Sequence, residues 1–336
     1  MTLTARVKQH AQELGFQAVG ISRVPSDRPE ALRLDEWLAR GYEGEMTWMA
    51  RNARKRKNPA LLLPGIRCIV SVGMNYYTAD SPDDRRGHGR IARYARGLDY
   101  HRMLGERLES LAAYIDREAL DSKSRAYVDT GPVMEKAWAQ RAGLGWIGKH
   151  SNLVSAQYGS WLLLGEVLTT AGLEPDEPGS DLCGTCTLCI RACPTGAITE
   201  ACVVDARRCL SYLTIEQKGE IPQELQAAAG NRIFGCDDCL DVCPYNHQAN
   251  PTAEPGFRAS AFTLNPDLKT LASQTEEAFH SAFGGSAVRR ATYQGLQRSV
   301  AVALKNSGES HTTPASNQAE TAGRKVTFGQ SPCLRS

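Results

Sequence analysis

Eight cysteines in this chain have the types and spacing that iron–sulfur chemistry needs. Cys183, Cys186, Cys189 and Cys193, followed by Pro194, read C-x2-C-x2-C-x3-C-P. In that bacterial ferredoxin run three thiolates hold one [4Fe–4S] cubane, and the fourth cysteine ligates a second. Cys236, Cys239, Cys243 and Pro244 repeat the pattern with its first cysteine missing, and Cys202 or Cys209 must supply it. Cys209 is the better choice. Cys202 follows Cys193 by only nine residues, and Ala201-Cys-Val-Val reads as a buried apolar segment. Crossed ligation then assigns Cys183, Cys186, Cys189 and Cys243 to the first cluster. Cys193, Cys209, Cys236 and Cys239 belong to the second. C-x2-C pairs also suit zinc, but zinc gives no reason for two C-x3-C-P endings. A disulfide framework suits short secreted chains rather than one of 336 residues. Cys68, Cys202 and Cys333 remain as core hydrophobes or inert surface thiols.

Three other constellations carry possible chemistry. Asp129 ends an expected strand, where α/β folds place functional groups; its alternative role is to cap the helix that Pro132 opens. Gly143-Leu-Gly-Trp-Ile-Gly-Lys149 is a glycine-rich loop that brings backbone N–H groups to a cofactor, with Lys149 as a cation. It departs from both the dinucleotide fingerprint and the P-loop. Asp99-Tyr-His101 sets a carboxylate beside an imidazole, although a lone histidine in a basic helix is more often structural.

These groups need a scaffold. Helical spacing predicts helices over 4–14, 29–40 and 100–119, and apolar runs predict strands over 16–21, 66–73, 124–128 and 161–169. That alternation indicates an α/β-type first domain of about 170 residues. The stretch 174–180 (EPDEPGS) reads as a linker, and the segment from Pro266 onward as short amphipathic helices that need a neighbour. After Asn306 the composition turns polar and reads as disordered. A net charge of +2 says little, yet the basic residues are concentrated. Five of the seven residues 51–57 are basic, 85–107 holds seven arginines, and Arg289, Arg290, Arg298 and Lys305 form a third group. Such patches suit a phosphate-bearing partner. No secretory leader or membrane-spanning run is expected, so the expected location is the cytoplasm.

Several motifs follow one order: Tyr94-Ala-Arg-Gly-Leu-Asp-Tyr-His101, the run 127–139 (YVDTGPVMEKAWA), Gly143–Lys149, the two cysteine runs with Thr195-Gly-Ala-Ile198 and Tyr245-Asn246, and 284–290 (GGSAVRR). In this combination the chain, over roughly residues 1–308, resembles the epoxyqueuosine reductase family. The resemblance implies an α/β (α+β) cobalamin-binding N-terminal domain over 1–173 and a bacterial two-cluster ferredoxin-like domain over 174–250. A short, truncated HEAT-like helical segment over 251–308 and a disordered tail over 309–336 complete it. It implies an oxidoreductase that removes the epoxide oxygen of epoxyqueuosine at the tRNA wobble position to give queuosine. Electrons from an external low-potential donor would pass through two [4Fe–4S] clusters to cob(II)alamin, with Asp129 as proton donor. For that role the Asp129 carboxyl is expected to be protonated near neutrality. The family pattern further implies corrin contacts at Arg56, Asp129, Lys149, His150, Leu153, Ser211 and the Asp237-Asp238 turn. Asp99-Tyr-His101-Arg-Met-Leu-Gly105 misses the Asp-x-His-x-x-Gly cobalamin motif by one residue, so no axial ligand is expected from His101. Lys218, Arg289, Arg290 and Arg298 are implied tRNA contacts, and the protein is expected to be a monomer.

Two departures from the family pattern stand out. The C-terminal helices stop short of a full repeat pair, and Ala95 stands where some members carry cysteine. Two rival readings are a corrinoid reductive dehalogenase and a ferredoxin-type electron-transfer module.

Overall fold

The computed structural model describes residues 1–25, 28–83 and 85–308; Cys333 and the expected tail over 309–336 lie outside the described residues. The central sheet has four strands, β1 (Ala18–Arg23), β2 (Cys68–Asn75), β3 (Ser124–Tyr127) and β4 (Leu162–Thr169), in the order β1-β2-β4-β3. Every pairing is antiparallel, so the first domain is α+β. The rule that sites lie beyond the carboxyl ends of parallel strands therefore gives no account of Asp129.

All eight residues of β2 are buried, because helices cover both faces of the sheet. On one face lie α1 (Leu3–Glu13), capped by the Thr2 hydroxyl, and α2 (Tyr100–Glu118), capped by the Asp99 carboxylate. Leu104, Leu108, Leu111 and Ile115 on one stripe of α2 are completely buried. Each contributes about 2 kcal/mol of apolar burial. On the other face lies α3 (Glu135–Arg141), which buries Trp138 against Ile69 and Leu168. This helix begins at Glu135, three residues beyond Pro132, and no side chain caps it at Met134. The capping role considered for Asp129 is thereby corrected.

The expected linker is tied down. The Asp176 carboxylate accepts hydrogen bonds from Ile21 N and Lys8 Nζ, and Gly179 N donates to Gln140 O. The cysteine-bearing segment that follows contains α4 (Leu188–Ala192), α5 (Leu210–Ile215), β5 (Arg232–Phe234) and α6 (Asp238–Asp241), with α4 and α6 packed together. Downstream, α7 (Leu268–Ser273), α8 (Glu276–Phe283) and α9 (Thr292–Ser307) pack back onto the rest. Helix α9 lies on α5 and β5. Phe279, Phe283, Leu296 and Val300 share one core with Val7, Val72 and Leu104.

Candidate active site and cluster sites

Two sets of thiols assemble. A cavity is lined by Cys183, Cys186, Cys189 and Cys243, and the thiols of Cys189 and Cys243 each neighbour those of Cys183 and Cys186. Cys239 neighbours Cys236, Cys209 and Cys193. The thiols thus neighbour one another in the interleaved order that crossed ligation would use. All ten described cysteines are free thiols. No three metal-binding side chains among the described residues are gathered tightly enough for a lone metal ion. A cubane, which spaces its thiolates by its own width, needs no such gathering. Cys202 is exposed, at φ +65 in the turn between two short strands, which corrects the buried-segment reading of its surroundings.

The glycine-rich loop serves the first thiol set. Lys149 Nζ donates to Gly184 O at 2.6 Å and Cys186 O at 2.8 Å, so its ammonium holds the cluster loop and is not free for a corrin. Trp146 Nε1 donates to Cys183 Sγ at 3.3 Å, and Tyr245 packs edge-on against the indole at 4.9 Å. Gly145 allows the close pass this requires, since a Cβ there would lie 2.0 Å from Val154 O.

Asp129 stands in the turn after β3 at φ +50, a conformation costing a non-glycine residue on the order of 1 kcal/mol. Its backbone N–H donates to Glu135 Oε1. Its Oδ2 lies 3.0 Å from His101 Nε2, and His101 Nδ1 lies 2.6 Å from Asp99 Oδ1. The imidazole thus bridges two carboxylates and presents no free ring nitrogen. Burial lowers the His101 imidazolium, but the hydrogen bonds and charges of Asp129 and Asp99 overcome this and hold it above its ordinary value. Burial raises Asp129, yet the His101 hydrogen bond and charge, with Arg290 and Lys136 beyond, hold it below its ordinary value. The expectation of a protonated Asp129 is corrected: in this arrangement the proton sits on His101. Lys136 neighbours Asp129 and Glu135 as well as Cys209 and Cys239, so the exposed Asp129 faces the second thiol set across Lys136.

The other expected cofactor contacts divide. Arg56 is buried, its Nη1 donating to Val133 O while its Nε has no partner; burial lowers it against the pull of Glu135 and Asp129. Ser211 Oγ lies beside the Cys209 thiol, 3.5 Å from Cys236 O. His150 is buried and pushed down to about 4 by burial and Lys136. Its ring nitrogens engage Asn152 N and Ser160 Oγ, and Leu153 is buried beside it. The Asp237 carboxylate accepts from Arg93 N, and Asp238 pairs with Arg232. Both line a cavity of about 310 Å³ with Arg93 and Arg96.

The basic patches also divide. Within 85–107, Arg93 stacks on Tyr77 and Trp161, Arg96 donates to Ile91 O, and Arg107 pairs with Glu254. These arginines hold the fold together instead of facing a polyanion. Arg298 donates to Leu213 O, Gln217 O and Gly219 O, which removes it from the expected tRNA contacts. Arg289 and Arg290 are exposed; Arg290 pairs with Glu216 and acts on Asp129. Lys218 is exposed on the loop whose carbonyls Arg298 holds. Sequence reasoning missed Glu135, Glu166 and Trp146. A lone glutamate inside the apolar strand 162–169 was the available signal for Glu166.

Fold and site define an iron–sulfur oxidoreductase with a carboxylate–imidazole pair set against one of two thiol quartets. Residues 182–246 match the 4Fe-4S double cluster binding domain, and residues 56–130 match the family described as Epoxyqueuosine reductase QueG, DUF1730. The chain is 47% identical to the epoxyqueuosine reductase of Synechocystis sp. over 82% of its own length and 95% of that protein. It is 43% identical to that of Escherichia coli over 90% and 81%. A crystal structure of epoxyqueuosine reductase with an epoxyqueuosine-modified tRNA-Tyr stem loop superposes with a TM-score of 0.86 at 32% identity, covering 91% of this chain and 82% of that one. The Streptococcus thermophilus enzyme gives 0.83 at 30% over the same shares. This chain belongs to the epoxyqueuosine reductase family. Among the described residues no helix is long and apolar enough to cross a membrane.

Proposed function

We propose that this protein reduces epoxyqueuosine at the wobble position of tRNA to queuosine, drawing electrons from an external low-potential donor. The observation that carries the reading is the Asp129–His101 pair facing the Cys193/Cys209/Cys236/Cys239 quartet across Lys136, in a chain of this family.

The donor set suits two [4Fe–4S] clusters, with eight thiols in two interleaved quartets. A corrinoid also fits between Asp129 and the second quartet. Arg56 Nε and Ser151 Oγ are buried there without partners, and a cofactor rimmed with amides would satisfy them. When bound, the clusters and cobalamin supply low-potential electrons one at a time. The chain's own residues manage the proton. Opening an epoxide leaves an alkoxide that must be protonated. His101, whose imidazolium form Asp129 and Asp99 favour against burial, carries the proton, and Asp129 passes it to the substrate oxygen. Arg289, Arg290 and Lys218 are the proposed phosphate contacts. Arg290, although paired with Glu216, is exposed and acts on Asp129, so a cation reachable by a phosphate stands beside the reacting carboxylate.

Anaerobic reconstitution with iron, sulfide and cobalamin, followed by nucleoside mass spectrometry of epoxyqueuosine tRNA, tests the assignment. Queuosine formation by the wild type and none by Asp129→Asn is the expected result. Reconstituted clusters with no corrinoid binding and no queuosine would leave an electron-transfer module.

A further inference from the structure

Beneath the sheet, on the face covered by α3, buried polar atoms without partners gather in one place. Glu166 on β4 is completely buried, and neither carboxyl oxygen has a hydrogen-bond partner. Ser71 stands directly opposite it on β2, also completely buried, with an unpartnered hydroxyl. Ser22 on β1, opposite Ile69 and hence one pleat along the same face, is 2% exposed with the same deficit. Trp138 packs over Ile69 and Leu168, and its indole N–H is likewise unpaired. An unpaired ionised carboxylate in such surroundings costs far more than a neutral acid. Glu166 therefore carries a proton, and the four groups form a buried polar chamber between the sheet and α3.

The chamber leads toward the reaction. Glu166 pairs across the sheet with Tyr127, the last residue of β3 and two before Asp129. Glu135, at the start of α3, accepts the Asp129 backbone N–H and is the charge that acts on Glu166. Glu135 is faced by Asp129, Lys136 and Arg56. Burial, followed by the charge of Asp129, pushes its carboxyl up to about 8. Glu166 thus feels the charge of Glu135, and Glu135 that of Asp129, a succession that leads from the sheet interior to the reacting face.

Converting an epoxide to an alkene breaks two C–O bonds, consumes two electrons and two protons, and releases one water. The His101–Asp129 pair holds one of those protons. We propose that Glu166 and Glu135 form a buried proton store that supplies the second proton through Asp129, a role that rests on the reductive reading above. The first proton opens the epoxide to a hydroxyl, and the second leaves with that oxygen as water. Glu135 then regains its proton from Glu166, and the chamber refills from solvent between turnovers.

Infrared spectroscopy of the substrate-free, cluster-loaded full chain at neutral pH reads the store without turnover. Glu166→Gln should remove one protonated-carboxyl band, and Glu135→Gln should weaken another that titrates in the wild type. In turnover, both variants should bind tRNA normally. Their kcat should fall about 100-fold, the lower edge for a proton-delivering group, and added small weak acids should partly restore Glu135→Gln. Circular dichroism checks the fold. If Glu166→Gln misfolds, the half-buried Glu135→Gln carries the test alone. An unchanged infrared band in Glu166→Gln, or wild-type kcat in Glu135→Gln, overturns the proposal. A wild type that shows the band yet forms no queuosine would sink the reaction assignment and leave the buried acid standing.

Discussion

His101 Nε2 lies 3.0 Å from Asp129 Oδ2, with Asp99 at the far side of the same ring. The pair is a single proton-holding unit whose charge state depends on both members. His101 is raised and Asp129 lowered, so the imidazolium–carboxylate form occupies the pH window between the two. Its contribution to the fold disappears as pH rises through the raised His101 value, and separately as pH falls through the depressed Asp129 value.

The first expectation concerns that window. The alkaline limb of kcat against pH should report His101, and His101→Gln should abolish this limb while lowering kcat by about 100-fold. Asp129→Asn should retain the fold and cluster content and lose turnover. A wild-type alkaline limb in His101→Gln would place the proton elsewhere.

The second distinguishes two cysteines. Cys209→Ser should lose close to half the iron and sulfide of the reconstituted protein, because it removes one thiol of the second quartet. Cys202→Ser should keep the full complement. Chemical iron analysis with electron paramagnetic resonance of the reduced protein decides between them.

A third concerns Trp146. A hydrogen bond to a ligating sulfur stabilises the more negative, reduced cluster and raises its potential. Trp146→Phe removes the Cys183 contact and should lower the potential of the first cluster while leaving the second unchanged. Equal potentials in wild type and variant, measured by a redox titration followed by paramagnetic resonance, would make the indole a packing residue only.

The fourth separates Arg289 and Arg290 from Arg298. Arg289→Ala with Arg290→Ala should weaken tRNA binding and reduce the slope of log K against log salt by about one to two. Arg298→Ala should instead destabilise the fold by about 1–3 kcal/mol, since three carbonyls lose their donor. Thermal unfolding and binding isotherms at several salt concentrations test the split.

The cysteine runs were legible because ligation by spacing is local: Cys183, Cys186 and Cys189 lie within seven positions of one another, and Cys236 and Cys239 within four. The α2 stripe was legible for the same reason, its apolar residues recurring at helical spacing. What sequence concealed are long-range pairings. Nothing near Arg298 reveals that its donors end on α5 and the loop after it, and nothing near Lys149 points to Gly184. Composition marked 174–180 as a linker, yet one carboxylate, Asp176, ties it to β1 and α1. The protonation of Asp129 was misjudged because burial alone was weighed, and the imidazole that outweighs it comes from 28 residues upstream.

The shared core has a consequence for how the chain is made. Val7 of the first helix and Leu304 of the last lie in one apolar cluster. The sheet emerging early from the ribosome thus lacks part of its cover until α9 has been synthesised. Contacts of such long sequence separation slow folding and leave apolar surface exposed in the meantime. The nascent chain should therefore depend on chaperones until its last helix is free, and shortening α9 should deplete soluble protein before it alters any property of the site.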